Sequence, residues 1–457
     1  MPNPYNNITF GSLKSQLANS LGDPGMVFFT ADELIDSLYE SLTIFQAFSH
    51  YWREPAKYRP LELNRWIILS DTTTNLVNSS GELALQSQIT DRELIADVLR
   101  TLLEIVPTDW AGSWNLSDQF SKNDIVQSLN KIYDKFLGET GSLVRVSTLV
   151  LSPNQEYFDL DDKVFEVMAV AWVDNVTDPD NPVRYPLYKT GRQDFDFSVG
   201  FGELTPGLPN CWSFDSDTLR LRVYPPSEDT GQLEVIVYRL PEDALDPSTT
   251  ETLLQIPPNL WWVLKYGMLA DLLRRDGQAM DWSRAEYCQS RWEDGIKLAN
   301  LEIPIIINAR INNKQIIQST LLEEDSHNAT WAQERGLADR IVNASWDLIS
   351  AVPIRDTGSD ESEVELLLVQ QVKLPDSDSV DVQLPNDAVN PIIEYAKHVT
   401  LLKTSGAEFG VSIPSYKVMF DYAATYNAML QKASKSFSFN ADKAEDSRNK
   451  SLKDSEN

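Results

Sequence analysis

Apolar positions fall at helical spacing behind three legible start signals. Thr30-Ala31-Asp32-Glu33 has the form of a capping box, in which hydroxyl and carboxylate each satisfy a backbone N–H left unpaired at a helix start. Leu34, Leu38, Leu42, Phe45 and Phe48 follow on one face, predicting a helix. Ser121-Lys122-Asn123-Asp124 leads in the same way into Ile125, Leu129, Ile132 and Phe136. The two starts resemble each other: Phe29-Thr30, Glu33-Leu34-Ile35 and Ser37-Leu38 match Phe120-Ser121, Asp124-Ile125-Val126 and Ser128-Leu129. A third start, Thr90-Asp91-Arg92-Glu93, leads into Leu94, Val98 and Leu102 before Pro107 stops the helix.

From Leu143 to Tyr238 the period changes to two. Leu219, Leu221 and Val223 alternate with Arg220 and Arg222, the segment Pro225–Gly231 turns, and Leu233, Val235 and Val237 alternate back. This predicts an antiparallel hairpin with one buried face. Further strands are expected at Leu143–Val150, Val164–Val173 and Tyr185–Lys189, with a turn-rich stretch from Asp174 to Asn181. The block reads as a small antiparallel sheet inserted between helices.

Helices return at Pro257-Pro258, which suit the first turn of a helix, with Trp262, Tyr266, Leu269 and Leu273 as a stripe, Gly277 as a stop, and a second helix from about Trp282 to Leu298. The C-terminal third repeats this pair. Tyr266, Leu272-Leu273, Arg274, Gly277, Ser283 and Tyr287 correspond at one ungapped offset to Tyr395, Leu401-Leu402, Lys403, Gly406, Ser412 and Tyr416, and Leu384-Pro385 stands where Ile256-Pro257 does. Such self-similarity predicts an internal duplication of a helical hairpin. Between the copies lie the apolar run Ile303–Ile317, a helical candidate at Leu337–Leu348 and a strand at Val364–Val372. The expected fold class is therefore α+β, helical hairpins or a bundle with an inserted antiparallel sheet, the helix pair being duplicated in the C-terminal third. The expected organisation is an N-terminal helical region, 1–115, and a core, 116–300, with its sheet at 143–238 and its helix pair at 257–298. A reduced strand-plus-helix-pair unit, 301–433, and a polar, charged tail, 434–457, follow. The tail's composition cannot form a core, so it is expected to be disordered alone.

Composition narrows the function. The 457 residues carry 39 Lys and Arg against 68 Asp and Glu, a formal charge of −29. Phosphate and anionic membrane affinity come from clustered Lys and Arg, so neither nucleic acid nor a membrane is expected as a tight partner. Cys211 and Cys288 are too few for a disulfide framework or a closed Cys-ligated zinc site and suit a reducing compartment. Met1–Asn7 has neither a basic start nor an apolar segment, so no secretory leader is expected, and the apolar windows are too short to span a bilayer.

Candidate chemistry is sparse. His50, His327 and His398 show no metal-ligand spacing, and no phosphate loop or nucleophile elbow is present. Asp159-Leu160-Asp161-Asp162, Asp178-Pro179-Asp180 and Asp376-Ser377-Asp378 lack the calcium-loop pattern and read as solvated loops, although two carboxylates distant in sequence leave the glycosidase alternative open. Arg220, Arg222 and Arg274-Arg275 are too diluted by acid for a nucleic-acid patch. No catalytic residue, cofactor or metal is expected. Twelve Trp, with Trp261-Trp262 adjacent and Trp282 and Trp292 following, read as core or subunit interface. The suspected interface residues are Trp261, Trp262, Tyr266, Trp282, Tyr287, Trp292, Tyr395, Tyr416, Phe437 and Phe439.

The element order carries a resemblance. A capped helix from Phe120 to Phe136 precedes the strands Leu143–Val150 and Val164–Val173. Leu219–Tyr238 follows, and then Ile256-Pro257-Pro258 with Tyr266, Arg275-Asp276-Gly277 and Arg284-Ala285-Glu286-Tyr287. Over about 120–300 this resembles the head-to-tail connector, or adaptor, proteins of tailed bacteriophages. The resemblance implies a virion structural protein made in the host bacterial cytoplasm and assembled as a homo-oligomeric ring, usually of twelve copies, in the neck. It would contact the portal protein and the tail, nozzle or neck proteins, with DNA passing through without tight binding. Phe437 and Phe439 sit two apart, as on one face of an added strand, so the tail is expected either to order against the portal or a neighbouring subunit or to be a dispensable solvated tail. Two alternatives stay open: another neck, tail-hub or baseplate subunit, and a carbohydrate-binding or glycan-hydrolysing protein.

Overall fold

The computed structural model describes residues 5–58, 66–69, 77–78, 89–117, 119–174, 183–191, 206–257, 259–275, 280–300, 306–311, 314–327, 331, 339–352, 364–369, 372, 377–404 and 407–429. Phe437, Phe439, Asp178-Pro179-Asp180, Gly277 and Gly406 lie outside them. Contacts divide the chain into two compact units. One comprises Met1–Trp52, Arg100–Leu103 and Gln370–Asn457, the other Arg53–Leu99 and Glu104–Val369. Both helix and sheet are abundant, so the class is α+β.

In the unit built from both chain ends, β1 (Tyr5–Thr9) pairs antiparallel with β19 (Asp381–Pro385), Tyr5 facing Pro385. Helices α1 (Phe10–Ser20) and α2 (Ala31–Ser49) pack with α8 (Val389–Leu402). A short α9 (Ala407–Ser412) and a last helix, α10 (414–429), follow. The Thr30 capping box forms as its residues dictate: Thr30 N–H donates to Glu33 Oε2 at 2.9 Å, and Glu33 N–H donates back to Thr30 Oγ1.

In the other unit, α3 (Asp91–Thr101) and α4 (Lys122–Thr140) open on the Thr90/Glu93 and Ser121/Asp124 boxes. Two four-stranded sheets then replace the single small sheet expected. The first runs β5 (Val144–Leu151), β12 (Gly231–Arg239), β7 (Val164–Asp174), β8 (Val183–Pro186). The second runs β6 (Tyr157–Asp159), β11 (Arg220–Tyr224), β10 (Cys211–Asp215), β9 (Tyr188–Lys189), antiparallel except for the β10–β9 pair. The hairpin expected from Leu219 to Val237 does not form. β11 pairs with β10 and β6, whereas β12 pairs with β5 and β7. Alternation reports that each strand has one buried side, and that part holds: Leu221 and Val223 meet Leu233, Val235 and Val237 in one core, face to face across two sheets rather than side by side in one. The same split divides the strand expected at Tyr185–Lys189 between the two sheets.

A second correction concerns Leu337–Leu348. Its described part holds β16 (Arg340–Asn343) and the first residue of β17 (Leu348–Val352), not a helix. Short apolar runs fit either period, and β-branched Ile341-Val342 favours the strand. These strands form a sheet β15 (Ile317–Thr320), β16, β17, β3 (Ile67–Ile68). A five-stranded sheet runs β14 (Lys314–Gln315), β13 (Ile306–Ile311), β18 (Val364–Val369), β2 (Arg53–Tyr58), β4 (Val77–Asn78). Every residue of β17 is buried because both faces are covered. Ile349 and Ala351 pack on the five-stranded sheet with Leu366 and Leu368. Leu348 and Val352 pack on the other side with Ile236 of β12, Val144 and Ala169. Four sheets are thereby stacked. Helices α5 (Trp261–Leu273) and α6 (Trp282–Ala299) follow the first two in sequence and pack on α4. Pro257 precedes α5 rather than occupying its first turn.

Candidate assembly interface

The helices α4, α5 and α6 are drawn close by two glycines. A Cβ on Gly267 of α5 would lie 2.5 Å from the Trp292 ring, and one on Gly295 of α6 would lie 2.5 Å from Val263. Only a hydrogen fits at either place, so the helix axes approach and Trp292 seals against Phe136 of α4 at 6.2 Å between ring centres. Helix α5 is buried along almost its whole length, including Lys265, whose ammonium meets Asp97 of α3 at 3.0 Å. Arg291 lies over both Trp262 and Tyr266, about 5 Å from each ring centre, giving the buried guanidinium two aromatic faces.

These contacts decide which suspected interface residues present surface. Trp261, Trp262, Tyr266, Trp292 and Tyr395 are buried inside the subunit. Tyr287 and Tyr416 are half-buried, each with its ring against Tyr266 or Tyr395, respectively. Trp282, at the first position of α6, is 56% exposed. Helical spacing locates an aromatic on a helix but leaves open which neighbour covers it, so the difference between Trp262 and Trp282 had no sequence signal.

Several charged groups of this bundle are paired with one another. Asp124, the last residue of its capping box, accepts from Ser121 and pairs with Arg275. The Ser121 hydrogen bonds, with Arg275 beside them, hold the Asp124 carboxyl below its ordinary value. Burial raises the Asp271 carboxyl, but Lys131, Arg275 and Ser128 more than offset this and hold it low. Elsewhere Arg220 pairs with Asp159, and Arg222 with Glu156. Arg220, Arg222 and Arg275 are thus each tied to a carboxylate, whereas Arg274 donates to the Gln289 amide oxygen at 3.3 Å. At β8 the buried Arg184 is held by Glu234 and Asp325, both at 2.8 Å, beneath Trp331.

The histidines take structural positions. His50 ends α2 in the left-handed conformation, with its N–H donating to the Gln46 carbonyl. His398 is buried against Phe409, and its Nδ1 lies 2.7 Å from Ser412 Oγ, while that hydroxyl donates to the Phe409 carbonyl. His327 is exposed, with Nδ1 beside the Glu323 carbonyl. Among the described residues no three or more His, Cys, Asp or Glu groups converge as metal ligands, and no helix is long and apolar enough to cross a membrane.

No curated protein matches the chain. Residues 90–304 run from the Thr90 cap of α3 through the first two sheets to just beyond α6. Over that span the chain is similar to the SU10 adaptor protein family, whose model it matches.

Proposed function

We propose that this protein is a head-to-tail adaptor, a non-enzymatic and cofactor-free subunit of a homo-oligomeric ring, of twelve copies, between portal and tail, in which DNA passes through an acidic conduit. The observation that carries the reading is the family match, which spans α3, α4, the first two sheets and the α5–α6 pair without interruption. Two physical features support it. A formal charge of −29 per subunit makes a wall that repels the duplex, whose phosphates place about one charge per 1.7 Å of axis. Trp282 offers an aromatic anchor of the type enriched at stable interfaces. The partners on this reading are the portal protein, the tail, nozzle or neck proteins, and further copies of the chain.

Imaging and mass measurement of the purified oligomer, with copy counting in intact particles, test the proposal. The expected result is a closed ring at the neck. A subunit found in other copy numbers at the far end of the tail would replace the adaptor reading with a baseplate or tail-hub one. Trp282→Glu should leave the thermal transition of the subunit unchanged and weaken ring formation.

A further inference from the structure

The unit made from the chain's two ends repeats the contacts of the α4–α5–α6 bundle, although it lies outside the family match. Helix α2 corresponds to α4 with each residue 91 positions earlier. Thr30 and Glu33 stand for Ser121 and Asp124, Ser37 for Ser128, and Phe45 for Phe136. Helices α8 and α10 correspond to α5 and α6 with each residue 129 positions later, Tyr395 standing for Tyr266 and Tyr416 for Tyr287. These sequence matches say nothing about whether the two separated pieces meet.

They meet in the same way. Between second and third helices, Tyr266 and Tyr287 have ring centres 6.1 Å apart, and Tyr395 and Tyr416 have theirs 6.0 Å apart. Between first and third, Phe136 packs on Trp292 at 6.2 Å, and Phe45 packs on Tyr422 at 6.3 Å, one residue beyond the matching position. Between first and second, Lys131 meets the Asp271 carboxylate in one bundle, and in the other Thr400, at the place matching Asp271, donates its hydroxyl to Ser37 at 2.9 Å. The carboxylate that closes each capping box is gripped by a cation from the end of the second helix, Arg275 on Asp124 and Lys403 on Glu33. In one bundle the first helix is separated from the second by two sheets. In the other it is separated by the whole second unit, so one bundle is nested inside the connectivity of the other. Contacts repeated at all three helix–helix interfaces, most of them on residues aligned by sequence or one position away, argue against chance helix packing.

We propose that the two chain ends form a second adaptor-type three-helix module, so that each subunit carries two attachment modules, the second taking a partner of the same class as the first, another protein of the virion. The proposal rests on the adaptor reading for the first module.

Lysine-directed cross-linking of intact particles, followed by peptide identification, separates the two. Exposed Lys131 and Lys297 report on the first module, and exposed Lys417 on the second. Rings reassembled from light and nitrogen-15 subunits distinguish links within a chain from links between copies. The expected result is that both lysine sets give links to other polypeptides. Links from Lys131 and Lys297 to other polypeptides, with those of Lys417 confined to its own chain, would overturn the second module while leaving the adaptor reading intact. Loss of intermolecular links from both sets would overturn both.

Discussion

The Lys265 ammonium lies 3.0 Å from the Asp97 carboxylate, with both side chains almost wholly removed from water. The pair joins α5 to α3 in the interior of the unit. Removing one member takes a buried opposite charge from the other, so Lys265→Met should destabilise the protein by up to about 3–5 kcal/mol. Combining it with Asp97→Leu should recover most of that loss, because the desolvation penalty disappears with the second charge. Denaturant unfolding of the two single variants and the double variant checks this. An additive double variant would show that the two charges are not coupled.

Two kinds of glycine should respond oppositely to alanine. Gly295→Ala drives a methyl into Val263 and should cost about 1–3 kcal/mol, the usual range for overpacking. In α4, Gly138 has nothing within 4 Å of a built Cβ, and Gly138→Ala should stabilise by about 0.5–1 kcal/mol through helix propensity. Thermal melts of both variants read the contrast directly. A destabilised Gly138→Ala would mean that this face of α4 is covered in the folded molecule.

Asp271 and Asp91 should give opposite pH signatures. Asp271 is held below its ordinary value of 3.8 in the folded state. Its stabilisation is fully present above 3.8 and is lost as pH falls through the lower folded value. Asp271→Asn should therefore be less stable than the wild type at pH 7, by about 1.5–3 kcal/mol for hydrogen bonds to a charged group, with the gap closing in acid. Asp91 is raised by burial, even though the Thr252 and Arg92 N–H groups donate to it. Its favourable contribution is present below 3.8 and is lost as pH rises through the raised folded value. The wild type should thus gain on Asp91→Asn as pH falls. Paired urea titrations from pH 3 to 7 would show the two gaps moving in opposite directions; parallel movement would contradict the assigned environments.

What the sequence made legible was local. The Thr30, Thr90 and Ser121 caps each depend on residues three apart, and all three form. The buried sides of β11 and β12 were equally readable, because alternation at Leu221 and Val223 or at Leu233 and Val235 is a property of one strand. The pairing of those strands was not. It depends on which backbone lies alongside, and the segment from Pro225 to Thr230 carries the chain into another sheet instead of turning it back on itself. The joining of α2 to α8 was invisible for the same reason: Ser37 and Thr400 are 363 residues apart, and neither side chain names its partner. Likewise Trp262 and Trp282 look alike in a helical stripe, and only the packed bundle separates core from surface.

DNA affinity tests the conduit most directly. Arg220 and Arg222 sit on one strand, and each is held by a carboxylate, Asp159 and Glu156. Those acids cancel the only charge on this strand that a phosphate could use. Mobility-shift titration of the unmodified protein at physiological salt should show no complex tighter than about 10⁻⁶ M, the tight end of non-specific binding. Glu156→Gln with Asp159→Asn releases both arginines and should tighten binding measurably, with a steeper dependence on salt as more counterions are displaced. If the unmodified protein already bound tightly with a steep salt slope, the acidic-conduit reading would fall, because a channel lined by such a surface would hold the DNA it has to pass.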